Sequence, residues 1–511
     1  MDKALESHGQ MMDSPDTLGS IYVKSVVLEG NKLFSDEELS GITAPYINRE
    51  ITFEELDTLR QQLTLQLVNK GYINSGVVIP DQQLADGIIR LQLVQGYISR
   101  IDVEGNRWFR ESYIANRLRL VSSAPLNIND VQDSLQLLQQ DQRIKRINAE
   151  LSPGVMPGEG VLSVKVEEER PYKVFLSFAN DQSPSVGPYH GEVTLSHQNL
   201  FGFGDILEGR FGLTDGTTDW GVDYRIPINA RDTTLRAYYR KDTTTVTDDT
   251  FKRLDIKSRS ETLGVGLSHP FYRNPSVEFS AGLNVELRKD ATFLLGRPFS
   301  FTDYEGNTTH ITALRLFQEW VHRSEKEVMA VRSTFSLGID AFGATIAPSV
   351  ADGRFFSWVG QAQWLRRLTE GGIQAVFRID AQLSDSPLLP MEKFSVGGMN
   401  SVRGYRENLL VRDNGVATSL EFRIPVLQNT VIGEGGALQF APFADFGWSW
   451  NKGQSTPNPQ TISSIGAGIR WSGIKKLNLA VYYGYGLRKV INNDHDLQDD
   501  GVHFQISYQL Y

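Results

Sequence analysis

The residues of this chain best suited to specific chemistry stand in one glycine-rich segment, Phe394-Ser395-Val396-Gly397-Gly398-Met399-Asn400-Ser401-Val402-Arg403-Gly404-Tyr405, flanked by Arg406, Glu407 and Arg412. The glycines permit a tight reversal. Arg403, at its tip, carries a five-donor guanidinium that seeks a carboxylate. Parity supplies two. In the stretch 438–448, Leu438, Phe440, Ala444, Phe446 and Trp448 form one face of a strand, so Gln439, Ala441, Phe443, Asp445 and Gly447 form the other. The set Leu420, Phe422 and Ile424 likewise leaves Glu421 and Arg423 on the inner face. Asp445 and Glu421 are therefore rival partners, and by spacing alone an Arg403 that meets only water is an equally good reading.

Other chemistry finds little support. The eight His are scattered, with no His-Glu-x-x-His and no metal-ligand spacing. Gly202-x-Gly204 and Gly484-x-Gly486 lie between or inside strands, where bends explain them better than a phosphate cradle. The acidic run Asp494-His495-Asp496-Leu497-Gln498-Asp499-Asp500 lacks the Gly and terminal Glu of an EF-hand loop and reads as a solvated external loop. No Gly-x-Ser-x-Gly elbow occurs. No catalytic activity, metal or cofactor is expected. The absence of Cys excludes a disulfide framework. A net charge of -10 and a pI near 5.4 argue against nucleic acid as a partner.

The elements that must position Arg403 are strands. Beyond about Lys173, strict alternation dominates: Leu477, Leu479, Val481, Tyr483, Tyr485 and Leu487 oppose Asn478, Ala480, Tyr482, Gly484 and Gly486. The same two-faced pattern runs through 373–383 and 502–510. No stretch of about 18 apolar residues exists, so a helical membrane span is excluded. A barrel needs only about 10 alternating residues per strand. About 16 such strands are expected, an even number that suits closure. Tight connections near 199–204, 229–231, 271–275, 324–327, 369–372 and 472–475 contrast with long ones near 241–255, 290–307, 341–353, 384–415 and 490–501. Short turns on one side and long loops on the other fit an outer-membrane barrel, and Trp358, Trp364, Trp448, Tyr483 and Tyr508 suit its aromatic girdles. A β-sandwich is the soluble alternative, but it rarely needs so many strands.

Before Pro171 helical spacing appears, as at Phe53, Leu56, Leu59 and Leu63. There Val26-Val27-Leu28-Glu29-Gly30-Asn31-Lys32-Leu33-Phe34 returns as Ile101-Asp102-Val103-Glu104-Gly105-Asn106-Arg107-Trp108-Phe109. Two copies imply two small α/β modules. The expected organisation is a helix or linker over 1–20, modules over 21–97 and 98–171, and a mainly β transmembrane barrel over 172–511. The first residues lack the basic start and apolar core of a signal peptide, so a leader is expected to have been removed.

Val402-Arg403-Gly404-Tyr405 after Gly397-Gly398, together with Phe443-Ala444-Asp445-Phe446-Gly447, resembles the signature pair of the TpsB transporters of two-partner secretion. Asn199-Leu200-Phe201-Gly202-Phe203-Gly204-Asp205 is similar to a turn pattern of the wider superfamily that includes the BamA insertase. The resemblance covers nearly the whole chain, because the two modules look like POTRA domains. It implies a 16-stranded barrel in the bacterial outer membrane, periplasmic POTRA domains, and a long sixth external loop folded into the lumen. It pairs Arg403 with Asp445, and it allows residues 1–20 to plug the barrel. The final residue departs from the usual outer-membrane signature in being Tyr511, not Phe.

The function so implied is ATP-independent export of a large unfolded exoprotein: a haemolysin, adhesin or contact-dependent inhibition toxin of the TpsA type. The client would be recognised through its N-terminal secretion domain by a monomeric transporter set in outer-membrane lipid. An extended client segment could add to an exposed POTRA sheet edge. It would then thread a lumen lined by groups such as Arg378, Asp380, Gln382 and Glu421. A barrel-assembly insertase is the first alternative and usually carries more POTRA modules; a passive porin needs none.

Overall fold

The computed structural model describes residues 20–511 apart from 84, 301–306, 348–350, 429–435, 474–475 and 491–495. The expected helix or plug over 1–20 lies almost entirely outside the described residues. The chain forms two compact units: one of residues up to Gly105 with 114–139 and 146–167, the other of 106–113, 140–145 and 168–511.

In the first unit, helix α1 (Asp36–Thr43) and helix α2 (Phe53–Asn69) separate the first from the later strands of a three-stranded sheet in which Ser25–Glu29 runs parallel to Ile88–Val94, and Gly76–Val78 antiparallel to it. Helix α2 begins where it does because Thr52 and Glu55 form a reciprocal capping box. Its Leu56, Leu59, Leu63 and Leu67 stripe is buried against Leu28, Ile89 and Leu91. The second repeat builds the same shape with helices α3 (Glu111–Arg119) and α4 (Ile128–Gln139) and the strands Tyr97–Glu104, Glu159–Glu168 and Ile144–Pro153. Both copies close their Gly-Asn turn identically: Asn31 Nδ2 donates to Phe34 O at 3.0 Å, and Asn106 Nδ2 to Phe109 O at 2.9 Å. The repeated Asn-x-x-Phe is thus a turn lock.

The second unit is a closed antiparallel barrel whose sixteen long strands, among the described residues, are β1 (Tyr172–Ala179), β2 (His190–His197), β3 (Ile206–Leu213), β4 (Thr217–Pro227), β5 (Thr234–Thr245), β6 (Lys257–Arg273), β7 (Val277–Leu294), β8 (Thr308–Arg323), β9 (Glu327–Ile339), β10 (Phe356–Arg367), β11 (Gln374–Ser384), β12 (Asn414–Gln428), β13 (Ala437–Trp450), β14 (Thr461–Ser472), β15 (Leu477–Gly486) and β16 (Val502–Gln509). Each pairs with its neighbour, and β16 closes on β1 from Gln505↔Ala179 to Gln509↔Phe175. Closure satisfies the backbone that an open edge would leave bare in lipid.

The large apolar residues of the strands face outward and stay exposed: Leu263, Val265 and Leu267 on β6, Phe440, Phe446 and Trp448 on β13, and Val481, Tyr483 and Tyr485 on β15. On a soluble protein such a surface would be untenable; in lipid it is the solvated one. Two features depart from the loop lengths read in the sequence. The outer connection after β3 is only Thr214, Asp215 and Gly216, and β7 continues through the segment read as loop to Leu294, extended by a two-residue strand at Arg297–Pro298.

Candidate functional site

The segment between β11 and β12 enters the lumen as a hairpin, with Phe394–Val396 paired antiparallel to Leu410–Arg412. At its tip Arg403 is 5 % exposed. Three of its donors converge on one carboxylate: the backbone N–H reaches Asp445 Oδ2 at 3.0 Å, Nε reaches Oδ2 at 2.8 Å and Nη2 reaches Oδ1 at 2.9 Å. Nη1 donates to Glu421 Oε2 at 2.5 Å, and Nη2 also to Ser419 Oγ at 2.9 Å. The two carboxylates are therefore joint partners. Arg423 Nε holds the other oxygen of Glu421 at 2.8 Å.

The guanidinium also contacts two rings set edge-to-face, its carbon 3.5 Å from the Phe443 centroid and 4.7 Å from that of Tyr482. Burial alone would lower the Arg403 pKa, but Asp445 and Glu421 hold it above its ordinary value. The spacing Phe443, Asp445, Gly447 has a plain geometry. Phe443 stacks, Asp445 binds, and Gly447 leaves room for the loop, because a Cβ there would lie 2.3 Å from Val396 and 3.0 Å from Val402.

The other residues of the tip are equally committed. Val402 is fully buried with Val396, Tyr405, Leu410 and Ile462. Gly404 has φ +86°, and a Cβ on it would lie 2.5 Å from Gly484 O, so the chain passes directly over β15. Its N–H donates to His503 Nε2 at 3.0 Å. Tyr405 Oη donates toward Ser463 O at 3.0 Å and accepts from the Arg488 N–H at 3.0 Å. Arg406 pairs with Asp499 at 2.6 Å, so the acidic run partly serves the lumenal loop.

Several anchors had no sequence signal. Glu392, on the descending limb of the loop, accepts from Arg288 Nη1 at 2.6 Å and from Arg315 Nη2 at 2.8 Å, while Arg315 Nε also binds Glu286 at 2.7 Å. This fixes the limb to β7 and β8, beside an apolar cluster of Ile311, Ala313, Phe355, Leu388 and Leu389. Gln498, fully buried, donates to Asn180 O at 3.0 Å and Gln182 O at 2.7 Å and accepts from the Glu407 N–H at 2.8 Å. It joins the loop to the end of β1. Alternation alone places such residues on a face but cannot say what they meet.

Of the residues read as lining a passage, Gln382 instead donates to Glu392 O and Asp413 O at 2.9 and 3.0 Å, and Glu421 holds Arg403. Arg378 and Asp380 do border open space, a lumenal cavity of about 510 Å³ shared with Glu319, Arg332 and Asn400. Among the described residues, His190, Glu192 and Asp219 are the group close enough, within 4.8 Å, to hold a cation; there His190 stands between Asp181 and Asp219 at 3.5 and 3.2 Å.

The turn 198–205 packs within its own unit. Arg143 Nη1 donates to Gly204 O at 2.5 Å, the Arg110 N–H to Gly202 O at 2.9 Å, and Asp205 accepts from the Phe201 N–H at 3.0 Å. Gly204 is required because a Cβ there would lie 2.5 Å from the Tyr113 ring.

Comparison with known proteins shows the family and the fold. A family model described as haemolysin secretion/activation protein ShlB/FhaC/HecB matches residues 158–471, and one for the ShlB-type POTRA domain matches 21–96. The outer membrane transporter CdiB of Escherichia coli is 21% identical over 471 residues, 88% of this chain and 76% of that protein. The heme/hemopexin transporter protein HuxB of Haemophilus influenzae (strain 86-028NP) is 21% identical over 482 residues, 87% and 80% respectively. In fold, the structure of CdiB from Escherichia coli matches with a TM-score of 0.73 at 18% identity, covering 98% of this chain and 93% of that one. BamA from Haemophilus ducreyi lacking POTRA domains 1-3 matches at 0.59 and 14%, covering 96% and 100%.

Proposed function

We propose, for a chain that belongs to the ShlB/FhaC/HecB haemolysin secretion/activation family and is thus a transporter of the bacterial outer membrane, that the lumenal loop latched by Arg403 supports secretion by keeping the barrel organised for an exoprotein to pass. The observation that carries this reading is the position of the loop: the hairpin with Arg403 at its tip occupies the lumen and is bonded there to Asp445 and Glu421. Seated there, the hairpin orders the lumen that the exoprotein passes.

In this reading residues 21–97 and 98–171 are two periplasmic POTRA modules that receive the unfolded client, and 172–511 is the conduit. A client strand adds to an exposed sheet edge, where backbone hydrogen bonds supply affinity without fixing sequence. It then enters past Arg378 and Asp380. No nucleotide is needed, because folding outside biases movement outward. A single chain suffices, since the barrel closes on itself, and its apolar outer band is buried in lipid. The client is a large secreted protein of the haemolysin, adhesin or contact-dependent inhibition class. Barrel assembly is the second reading, but the likeness to BamA supports the fold alone.

Deletion of 21–97 tests the division of labour. Export of a co-expressed exoprotein should fall to background while the barrel still inserts and conducts ions. Undiminished export without those residues would overturn the role given to the first module.

A further inference from the structure

Toward the outer ends of their strands, Leu213, Leu337, Phe356, Trp448, Tyr485 and Leu487 are all exposed and uncharged. One sector differs. On β5, β6 and β7 the outward parity set by Leu235, Leu263, Leu267 and Leu283 continues into Lys241, Arg259, Lys257 and Lys289. Cross-strand register puts them in successive rows: Trp220, Lys241, Glu261 and Lys289 share one, Thr243, Arg259 and Ala291 the next, and Thr245, Lys257 and Phe293 the last. Exposed Arg297 follows on the short strand paired to β7.

Chain direction gives these rows their depth. Strand β1 starts from the periplasmic segment, so the even-numbered connections are periplasmic and β5 ends, and β6 begins, at the outer surface. Trp220, level with Lys241, packs on Tyr239 one row lower, with ring centroids 5.3 Å apart, marking the interfacial girdle. The patch therefore lies at the level of the outer-leaflet headgroups.

Its charge is not self-cancelled. Lys241 pairs with Glu261 at 2.7 Å and Lys257 with Asp255 at 2.9 Å. Arg259, Lys289 and Arg297 have no ion-pair partner among the described residues, in a chain whose net charge is -10. The Arg259 guanidinium is held over the Phe293 ring, 5.5 Å from its centroid. Adjacent strands are about 4.8 Å apart, so cations on β5 and β7 span roughly 10 Å, the scale of a disaccharide with a phosphate at each end.

We infer that this sector binds the phosphates of the outer leaflet's glycolipid, a bisphosphorylated, acylated glucosamine disaccharide, with Arg259 and Lys289 as the principal contacts and the neighbouring apolar rows against its acyl chains. The inference rests on the outer-membrane address and not on the loop latch, so either can fail alone.

The test is native mass spectrometry of the full-length detergent-purified protein titrated with bisphosphorylated lipid A, with its enzymatically dephosphorylated form, and with inorganic phosphate. Wild type should hold the bisphosphorylated lipid at least about tenfold more tightly than does the triple variant Lys241→Gln, Arg259→Gln, Lys289→Gln, given about 1 kcal/mol for each basic residue near an anionic surface. A control variant at the periplasmic end, Arg366→Gln, should bind as wild type. Barrel folding is checked by heat-modifiable gel mobility. If the triple variant proves unfoldable, the wild-type comparison alone decides: dephosphorylated lipid should bind at least tenfold more weakly. Equal binding of the two lipids, equal binding by wild type and a folded triple variant, or displacement of the lipid by millimolar inorganic phosphate would each overturn the assignment.

Discussion

Arg403 and Asp445 are joined by three hydrogen bonds, one from the backbone and two from the guanidinium, with the Asp445 side chain fully buried. The backbone bond matters most for specificity. It ties Asp445 to the path of the loop; a lysine at 403 would keep that bond and the charge but not the fork.

The two carboxylates should therefore not be equivalent. Asp445→Ala removes all three bonds and leaves a buried cation with one partner, a loss of about 3 to 5 kcal/mol for a broken buried pair. Glu421→Gln keeps an acceptor toward Arg403 and leaves Asp445 in place. Export assays at matched barrel levels should rank Asp445→Ala far below Glu421→Gln; the reverse order would make Glu421 the principal partner.

Gly404→Ala should reproduce the Arg403 phenotype without touching a charge. The residue has φ +86°, and the added methyl would meet Gly484 O at 2.5 Å. Strain at such a position costs on the order of 1 to 3 kcal/mol before the clash is counted. More frequent channel openings in planar bilayers are expected, and wild-type gating from the alanine variant would contradict the seated path.

Glu392→Gln should loosen the other limb. It leaves Arg315 with Glu286 and Arg288 with the Met391 carbonyl, although the tip remains latched. Protease added outside cells expressing the variant should cut within 385–400 faster than in wild type, with export reduced less than by Arg403→Ala. Unchanged cleavage would mean that the apolar cluster alone holds the limb.

Seating of the loop should also depend on pH through Glu407. Burial, reinforced by the charge of Asp181, pushes its carboxyl up to about 8 from an ordinary 4.5, while the Met399 N–H opposes the shift. Because the seated pKa is raised, the stabilisation is fully present below about 4.5. It is lost as pH rises toward 8, where the released loop ionises and the seated one resists ionising. Channel opening should therefore increase from pH 5 to pH 8 in wild type and stay flat in Glu407→Gln. Parallel profiles would remove Glu407 from the gating.

Much of this arrangement was legible in the residues. Alternation put Asp445 and Glu421 on the inner face because a strand's period leaves no choice, and outward Leu263, Val265 and Leu267 advertise a lipid surface. What could not be read was the depth to which the loop descends. That depends on contacts between residues about 100 apart, Glu392 with Arg288 and Gly404 with His503, and neither pair has a local pattern. The choice between Asp445 and Glu421 was unresolvable for a related reason: parity assigns a face, whereas the guanidinium is wide enough to take both. Outward Lys289 interrupts the apolar alternation of β7, so the segment from Asp290 to Leu294 carries no unbroken strand pattern.

The most direct measurement of the latch is the amount of exoprotein released to the medium by Arg403→Ala cells, at barrel levels in the outer membrane matched to wild type. Loss of the charged hydrogen bonds, worth about 1.5 to 3 kcal/mol each, predicts export reduced at least about tenfold with insertion intact. Export equal to wild type would contradict the account.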